Sequence, residues 1–337
     1  MIPAVDTQQL EVLVVGAGLI GSRRAQVAAA HPRTRLAGVA DLTRERAEQA
    51  AAPHGARAFS DWQQALAACR PHLVVASTTN RHLLPIATAA LAQGCHVLIE
   101  KPMGRNAAEA RTMRDAARAA GRLLKVGFNH RYHPAIQAAA RLVHSGTLGP
   151  VHFLRSTYGH GGRPGYEKEW RGSREECGGG ELLDQGVHVL DLFQWLIGRP
   201  IRVQAELADF AWPIAPLEDN AFVLLRYAGG QVASFHTSWT QWKNRFELQV
   251  YCREGSVEVC GLGGSYGTET LTVARRRFEG GAPALWQQSF PGPDRSWELE
   301  WDDFVRAVDT GATPLGDAES SVAVMETLQE IYRVTSS

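Results

Sequence analysis

Glu11-Val-Leu-Val-Val15, then Gly16-Ala-Gly-Leu-Ile-Gly21, then Ser22-Arg-Arg-Ala-Gln-Val-Ala-Ala-Ala30, then Leu36-Ala-Gly-Val-Ala40 closed by Asp41: this succession decides the fold. The first run is β-branched and apolar, as a strand buried on both faces should be. The alanine-rich run is a good helix former, and the second apolar run is another strand. Strand, G-x-G-x-x-G, helix, strand and acid is the order of a dinucleotide-binding βαβ unit. Gly16 makes the tight turn, Gly18 lets the backbone approach a pyrophosphate, and Gly21 lets the helix pack closely on the sheet. The helix N-terminus, where Leu19 and Ile20 follow Gly18, faces the phosphates with amides and the positive end of its dipole. Asp41 comes twenty residues after Gly21, where a carboxylate can accept from both adenosine ribose hydroxyls. A glycine turn alone is common; the strand before it, the helix after it and the acid in register carry the assignment.

The length of 337 residues suggests two domains, and 45% hydrophobic content supplies their cores. Lys plus Arg and Asp plus Glu each number 35, so the formal net charge is zero. With no basic tract and no interleaved aromatic run, nucleic acid is not an expected partner. Residues 1–9 carry no apolar signal region and no apolar run approaches membrane-spanning length, so no membrane association is expected. Cys69, Cys95, Cys177, Cys252 and Cys260 form no C-x-x-C pair, which reads as reduced thiols in a cytoplasmic protein. No metal-ligand spacing and no internal repeat is present, and no metal is expected.

After Asp41 the βα rhythm continues. Helices are expected over 43–52, 61–68 (capped from Ser60 or Asp61) and 83–92, with strands over 72–76, 95–99 and 123–126. Asn106 and Glu109 resemble a capping box for a helix running to 120. Such alternation means an α/β Rossmann domain with a doubly wound parallel sheet. Ligands of these sheets sit at the strand carboxyl ends, which places Gly16 to Gly21, Asp41, Ser77, Thr78, Asn80 and Glu100 to Pro102 on one rim. The character changes near Gly127. A helix over 134–144 precedes alternating, aromatic-rich runs at 151–158, 201–208, 221–227, 231–239, 246–252, 256–260 and 270–274, and helices over 297–309 and 318–334 close the chain. The second half is therefore α+β with a large, mostly antiparallel open sheet, and the domains are expected at 1–128 and 129–337. Trp239, Trp242 and Phe246 suit a core and an exposed oligomer face equally well.

Glu100-Lys101-Pro102 follows a buried strand on the ligand rim. An isolated lysine at a strand end is usually a surface residue. Here Pro102 fixes the exit geometry, and a lysine near a nicotinamide and a substrate hydroxyl can stabilise an alkoxide or take a proton. In Asp184-Gln-Gly-Val-His188-Val-Leu-Asp191-Leu-Phe-Gln-Trp195 the apolar spacing is helical, and Asp184 and His188, at i and i+4, share one face. A surface histidine satisfied by its i−4 carboxylate is the bland reading. The preceding Glu175-Glu-Cys-Gly-Gly-Gly180 favours a site, because a triple glycine entering a helix suits close backbone approach to a ligand. Asp191 anchors the helix one turn on.

These motifs, with Thr79-Asn80, His82 and Val126-Gly-Phe-Asn-His-Arg-Tyr132, resemble over essentially the whole chain the oxidoreductases grouped as glucose–fructose oxidoreductase, inositol dehydrogenase and rhizopine-catabolism proteins. The resemblance implies NAD as cofactor, adding Asn80, His82, Glu100, Lys101 and Asn129 to the glycine turn, Asp41, Ser77 and Thr78 as its contacts. It implies that Lys101, Asp184 and His188 surround the sugar carbon that loses hydride. It also implies a homodimer or homotetramer formed through the open sheet. Asp41 would repel the 2′-phosphate of NADP, so NAD is expected over NADP; Arg44 is the counter-argument, since it could partner a phosphate.

Tyr158-Gly-His-Gly-Gly-Arg163-Pro-Gly-Tyr166-Glu-Lys-Glu-Trp170-Arg171 and Gly261-Leu-Gly-Gly-Ser-Tyr-Gly267 resemble the branch that oxidises a ring hydroxyl, often C3, of nucleotide sugars or sugar conjugates, including intermediates of aminoglycoside assembly. The first loop mixes stacking rings, donors and acceptors, as a sugar site should; an irregular interdomain loop is the competing reading. Tyr158, Arg163, Tyr166, Trp170 and Arg171, with Asn129 and Arg131, are the expected sugar contacts beside Lys101, Asp184 and His188. For a polycationic aminoglycoside, Glu167, Glu169, Glu175 and Glu176 are candidate ammonium partners. The expected activity is NAD-dependent oxidation of a secondary ring hydroxyl. An NAD-dependent glycosidase and an inositol or polyol dehydrogenase are its alternatives. A dinucleotide-sensing repressor would lose Lys101 or His188, and a scaffold would show no turnover. Lys101 and His188 are expected to share the proton transfer, with Asp184, at an ordinary pKa of about 3.9, positioning a neighbour.

Overall fold

The computed structural model describes residues 9–335, so the expectation of no signal region falls mostly outside the described residues. The first elements are β1 (Leu10–Val15), α1 (Leu19–Ala30), β2 (Thr34–Ala40), α2 (Arg44–Ala51), β3 (Arg57–Phe59), α3 (Trp62–Cys69), β4 (Leu73–Ala76), α4 (Asn80–Ala92), β5 (His96–Ile99), α5 (Ala107–Ala120) and β6 (Leu124–Val126). Their strands form one parallel sheet in the order β3-β2-β1-β4-β5-β6. The order reverses between β1 and β4, the switch point at which such sheets take ligands. Local signals end the helices as expected. Asp61 accepts from the Gln64 amide at the start of α3, and Asn106 accepts from the Glu109 amide at the start of α5. Glu109 does not close a reciprocal box; its carboxylate takes the Arg105 amide instead. The sequence reading misses β3, whose three residues are too few to show a period.

The second set comprises α6 (Pro134–His144), β7 (Val151–Gly159), α7 (Arg174–Cys177), α8 (Val187–Ile197), β8 (Arg202–Ala208), β9 (Asn220–Arg226), β10 (Val232–Ser238), β11 (Arg245–Cys252), β12 (Gly255–Cys260), β13 (Glu269–Arg275) and β14 (Ala284–Phe290). Its eight-stranded sheet runs β14-β13-β12-β11-β7-β10-β9-β8, antiparallel except for the β7–β10 pair. The sequence reading also misses β14, an edge strand exposed along nearly its whole length, which offers no in/out alternation. One sheet face is covered by α8, where Phe193 meets Phe235 at 6.1 Å. The other leaves Phe153, Phe222 and Leu224 partly open. Trp239 and Phe246 are core residues, whereas Trp242 is 73% exposed.

Two helices follow, α9 (Ser296–Thr310) and α10 (Ala318–Thr335). The chain forms two compact units: the described residues through Gly127 with Trp297–Val322, and Phe128–Ser296 with the residues from Ala323. A single break after residue 128 does not describe this, because the chain returns to unit 1. The reason is burial. Trp297, Trp301, Phe304 and Val305 of α9 share one core with Val12, Val14, Leu73 and Val75 of the parallel sheet, and each such side chain contributes roughly 1.5–3 kcal/mol on burial. No helix of the described residues is long and apolar enough to cross a membrane.

Candidate functional site

In unit 1 the glycine turn has the geometry the fingerprint requires. Gly16 lies at φ +95°, where a Cβ would stand 2.2 Å from the Ser77 carbonyl oxygen. At Gly21 a Cβ would meet the Gly16 carbonyl oxygen at 1.8 Å, while at Gly18 it would meet nothing within 4 Å. Two of the glycines thus close the turn, and the third leaves its outer side open. Gly18 precedes α1 as its N-cap, with no side-chain cap hydrogen bond and no acid in the first turn, an arrangement that would suit an anion at the helix amides. Asp41 accepts from the Ala17 amide at 2.7 Å and the Thr43 amide at 2.8 Å, tying the acid to the turn while each oxygen keeps a further lone pair. Leu19 and Leu42 flank this rim at 89% and 87% exposure, apolar surface suited to a planar base. Open glycine, uncapped helix and rim acid fit a dinucleotide. Ser77 and Thr78 are half-buried, Asn80 is buried and His82 exposed at the start of α4.

Glu100 is buried at the end of β5, and Arg24 donates to its Oε1 at 2.8 Å. Lys101 is half-buried, and its bond to Pro102 is cis.

In unit 2, Asp184 lies in a π-turn, Leu182–Gly186, that leads into α8, which carries His188. Asp184 is held from the preceding loop by Arg171, Nε to Oδ2 at 3.1 Å. The His188 ring is buried and stacked on His130, centroids 3.8 Å apart at 17°. Phe128 and Tyr158 close the sides, edge-on at 6.0 and 6.2 Å. Tyr158 shares a hydrogen bond with Tyr266, and Tyr266 another with Gln185. Burial pushes the Tyr266 phenol up to about 12 and holds that of Tyr158 well above the usual phenol range, so both stay protonated at neutral pH. Sequence reasoning overlooks His130 and Tyr266, although both lie inside quoted motifs, because stacking and pairing across elements leave no spacing to read.

Two of the three glycines, Gly179 and Gly180, are required by packing. A Cβ at Gly180 would lie 2.1 Å from the Glu218 carbonyl oxygen, and one at Gly179 would lie 2.2 Å from the Tyr332 hydroxyl. The Glu218 carboxylate accepts from the Gly180 and Leu182 amides and from Tyr332, holding the entry to the π-turn. Burial raises the Glu218 pKa against those hydrogen bonds.

The other expected sugar contacts divide. Trp170 and Arg171 are half-buried, with the guanidinium 4.5 Å from the indole. Arg163 is exposed and doubly bonded to Glu169. Tyr166 is instead a core residue, 3% exposed and clustered with Cys177, Ile214, Leu217 and Trp239. Arg131 is likewise interior. It is 3% exposed and makes a bidentate pair with Asp191 at 2.7 and 2.6 Å, which gives the anchoring role of Asp191 its physical form. Asn129 is buried and donates to the Ser296 hydroxyl at 3.0 Å. No cluster of metal-binding side chains occurs among the described residues.

Residues 10–128 match the oxidoreductase family, NAD-binding Rossmann fold, and residues 136–258 match the GFO/IDH/MocA C-terminal domain. The levoglucosan dehydrogenase of Pseudarthrobacter phenanthrenivorans is 27% identical across 74% of this chain and 73% of its own. The D-glucoside 3-dehydrogenase of Escherichia coli is 27% identical across 98% of this chain and 96% of its own. The crystal structure of GenD2 from gentamicin A biosynthesis, in complex with NAD, aligns at a TM-score of 0.83 and 28% identity, covering 98% of this chain and 95% of that one. With both domains matched and the dinucleotide turn in place, the chain belongs to the GFO/IDH/MocA oxidoreductase family, and residues 10–128 are its NAD-binding Rossmann domain.

Proposed function

We propose that this protein is an NAD-dependent dehydrogenase that oxidises a secondary ring hydroxyl of a sugar or sugar conjugate, at C3, to a keto sugar. The observation that carries the reading is the surroundings of His188. A buried imidazole stacked on another, beside two phenols that stay protonated, gathers directional hydrogen-bonding groups of the kind a polyol needs. The similarity to D-glucoside 3-dehydrogenase along 98% of the chain supports C3. NAD, held by its pyrophosphate at the glycine turn, would supply the hydride acceptor in its nicotinamide ring.

The residues of this chain handle the proton. A hydroxyl proton must leave as hydride leaves, to a group within hydrogen-bond reach. Lys101 and His188 are the proposed acceptors, with Asp184 orienting the substrate or its neighbours. Arg171 neutralises Asp184 and orders the loop against the π-turn. Arg131 and Tyr166 are left out of the proposed sugar contacts because their side chains are consumed in the interior. The loop over 159–178 carries Arg163, Lys168, Arg171 and Arg174 against Glu167, Glu169, Glu175 and Glu176. This balance favours a neutral glycoside. The likeness to GenD2 supports an aminoglycoside intermediate as the second substrate class.

The deciding experiment is NADH formation from NAD with methyl glucosides, levoglucosan, myo-inositol and aminoglycoside intermediates, with NMR of the product to locate the carbonyl. Turnover of glycosides to a 3-keto product is expected; inositol oxidation alone, or release of the aglycone without net NADH, refutes the reading. Lys101→Ala and His188→Ala should each lose about 10²–10⁴ in kcat while binding NADH. For assembly, we propose a homodimer or homotetramer through the outer face of the eight-stranded sheet, where Phe222, Leu224 and His236 line a groove of about 680 Å³. Light scattering at a monomer mass refutes it. The five cysteines are all free, which favours a reducing, cytoplasmic setting.

A further inference from the structure

Unit 1 contains a buried four-charge cluster that the binding of a dinucleotide does not require. Arg24 of α1 is 1% exposed, and its guanidinium reaches two carboxylates. It meets Glu100 at the end of β5 at 2.8 Å and Glu300 of α9 at 2.6 Å. Lys125 of β6, fully buried, stands 3.6 Å from the second oxygen of Glu300, so two cations and two anions balance. The Trp297 ring lies 4.5 Å from the Arg24 guanidinium. Gly127 leaves room for the pair, since a Cβ there would meet Arg24 Nη2 at 2.6 Å and Glu100 Oε1 at 3.2 Å.

Such a cluster is a costly way to stabilise a core, because well-packed apolar residues often do as well or better. What it provides is direction. A planar guanidinium forks between two carboxylates and fixes their separation, which a point charge cannot do. The two elements joined in this way are α1, whose N-terminus would face the dinucleotide phosphates, and the strand end that delivers Lys101 as the very next residue.

We propose that Arg24, charge-balanced by Glu300, is a positioning residue that acts through Glu100 to hold Lys101 in register with the cofactor-binding helix. This rests on the role given to Lys101 under the proposed function. Arg24 touches neither substrate nor cofactor. Its loss should leave dinucleotide affinity almost intact and act on the chemical step, where a displacement of about 1 Å can cost about 100-fold.

The test is a double-mutant cycle on the full chain, using the glycoside turned over fastest in the panel above. Arg24→Lys keeps a positive charge in the interior but cannot bridge both carboxylates. NADH affinity, read by fluorescence, should stay within about threefold, and kcat should fall about 10- to 100-fold with little change in KM. Arg24→Lys/Lys101→Ala should be no slower than Lys101→Ala alone, since a misplaced lysine cannot be lost twice. The substrate-independent arm uses the four lysines of the chain, Lys101, Lys125, Lys168 and Lys243. After ¹³C-methylation, the methyl chemical shift of Lys101 should change in Arg24→Lys while those of Lys168 and Lys243 do not. Multiplicative losses in the cycle, or wild-type kcat in Arg24→Lys, overturn the proposal, because a purely structural residue would behave that way. Lys101→Ala at wild-type rate sinks the lysine assignment itself, and that result appears without touching Arg24. Should Arg24→Lys fail to accumulate, Glu300→Gln runs the same cycle, with a kcat loss of about tenfold expected and the same non-additivity required.

Discussion

Arg131→Met should unfold unit 2 more readily without altering how tightly the sugar binds. Arg131 and Asp191 are 3% and 0% exposed and meet through two hydrogen bonds, with the guanidinium 5.5 Å from the Trp195 ring. Removing the cation strands a carboxylate in the interior, which costs about 3–5 kcal/mol. Unit 2 holds Phe128–Ser296 and the residues from Ala323. For a unit of that size each kcal/mol moves the melting midpoint by about 2–4 °C, so its transition should fall by roughly 10 °C. Arg131→Met/Asp191→Leu removes both charges and should recover most of that loss, since an apolar replacement of a whole buried pair is often neutral. Differential scanning fluorimetry resolves the effect if the two units melt separately, and circular dichroism confirms it. KM for the sugar is measured well below the transition. If Arg131→Met melts within about 2 °C of wild type and raises KM tenfold, the guanidinium meets substrate and the anchoring argument is wrong.

Gly180→Ala places a methyl against the Glu218 carbonyl oxygen; overpacking of this kind costs about 1–3 kcal/mol, and an unchanged melting midpoint would show that the loop shifts freely. His130→Ala removes the ring stacked on His188 and should lower both the midpoint and kcat, while His130→Phe, which keeps a stacking face, should restore most of each; equal kcat in all three proteins refutes a role for the stack. Burial and Arg122 hold the His96 pKa down at about 4 against an ordinary 6.5, and its Nδ1 accepts the Leu123 amide. The depressed value means that His96 contributes stability above pH 6.5 that is lost as pH falls toward 4. The unit 1 midpoint should drop through that window, and His96→Gln should flatten the drop.

The dinucleotide half was legible because its determinants are local. Gly16, Gly18 and Gly21 are read from spacing, Asp41 from its distance along the chain, and the strands from runs buried on both faces. Their physics is contained within about thirty consecutive residues. The antiparallel strands of the second half were legible by alternation, and the one that escaped, β14, is the one whose residues do not alternate in burial. Asp184 and His188 were visible as a pair, yet the π-turn that carries Asp184 was not, because a single wide turn leaves no mark in a periodicity assumed to be α-helical.

By itself the sequence determined the βαβ order, the glycine turn with its acid, the sheet-forming half and the short list of ionisable residues. Only the tertiary structure decided which of those residues are spent on one another. Arg131 is consumed by Asp191, Tyr166 by an aromatic core, and Gly179 and Gly180 by Tyr332 and Glu218. His188 gains His130 as a stacking partner, and α9 returns to the first core. The reason is the range of the forces. Backbone preference and hydrophobic period act between neighbours in sequence, so they can be read from a string. A buried charge or ring is satisfied by whatever the fold brings within a few ångströms, and those partners lie 28 to 136 residues or more away along the chain: Tyr158 for His130, Arg131 for Asp191, Glu269 for His133.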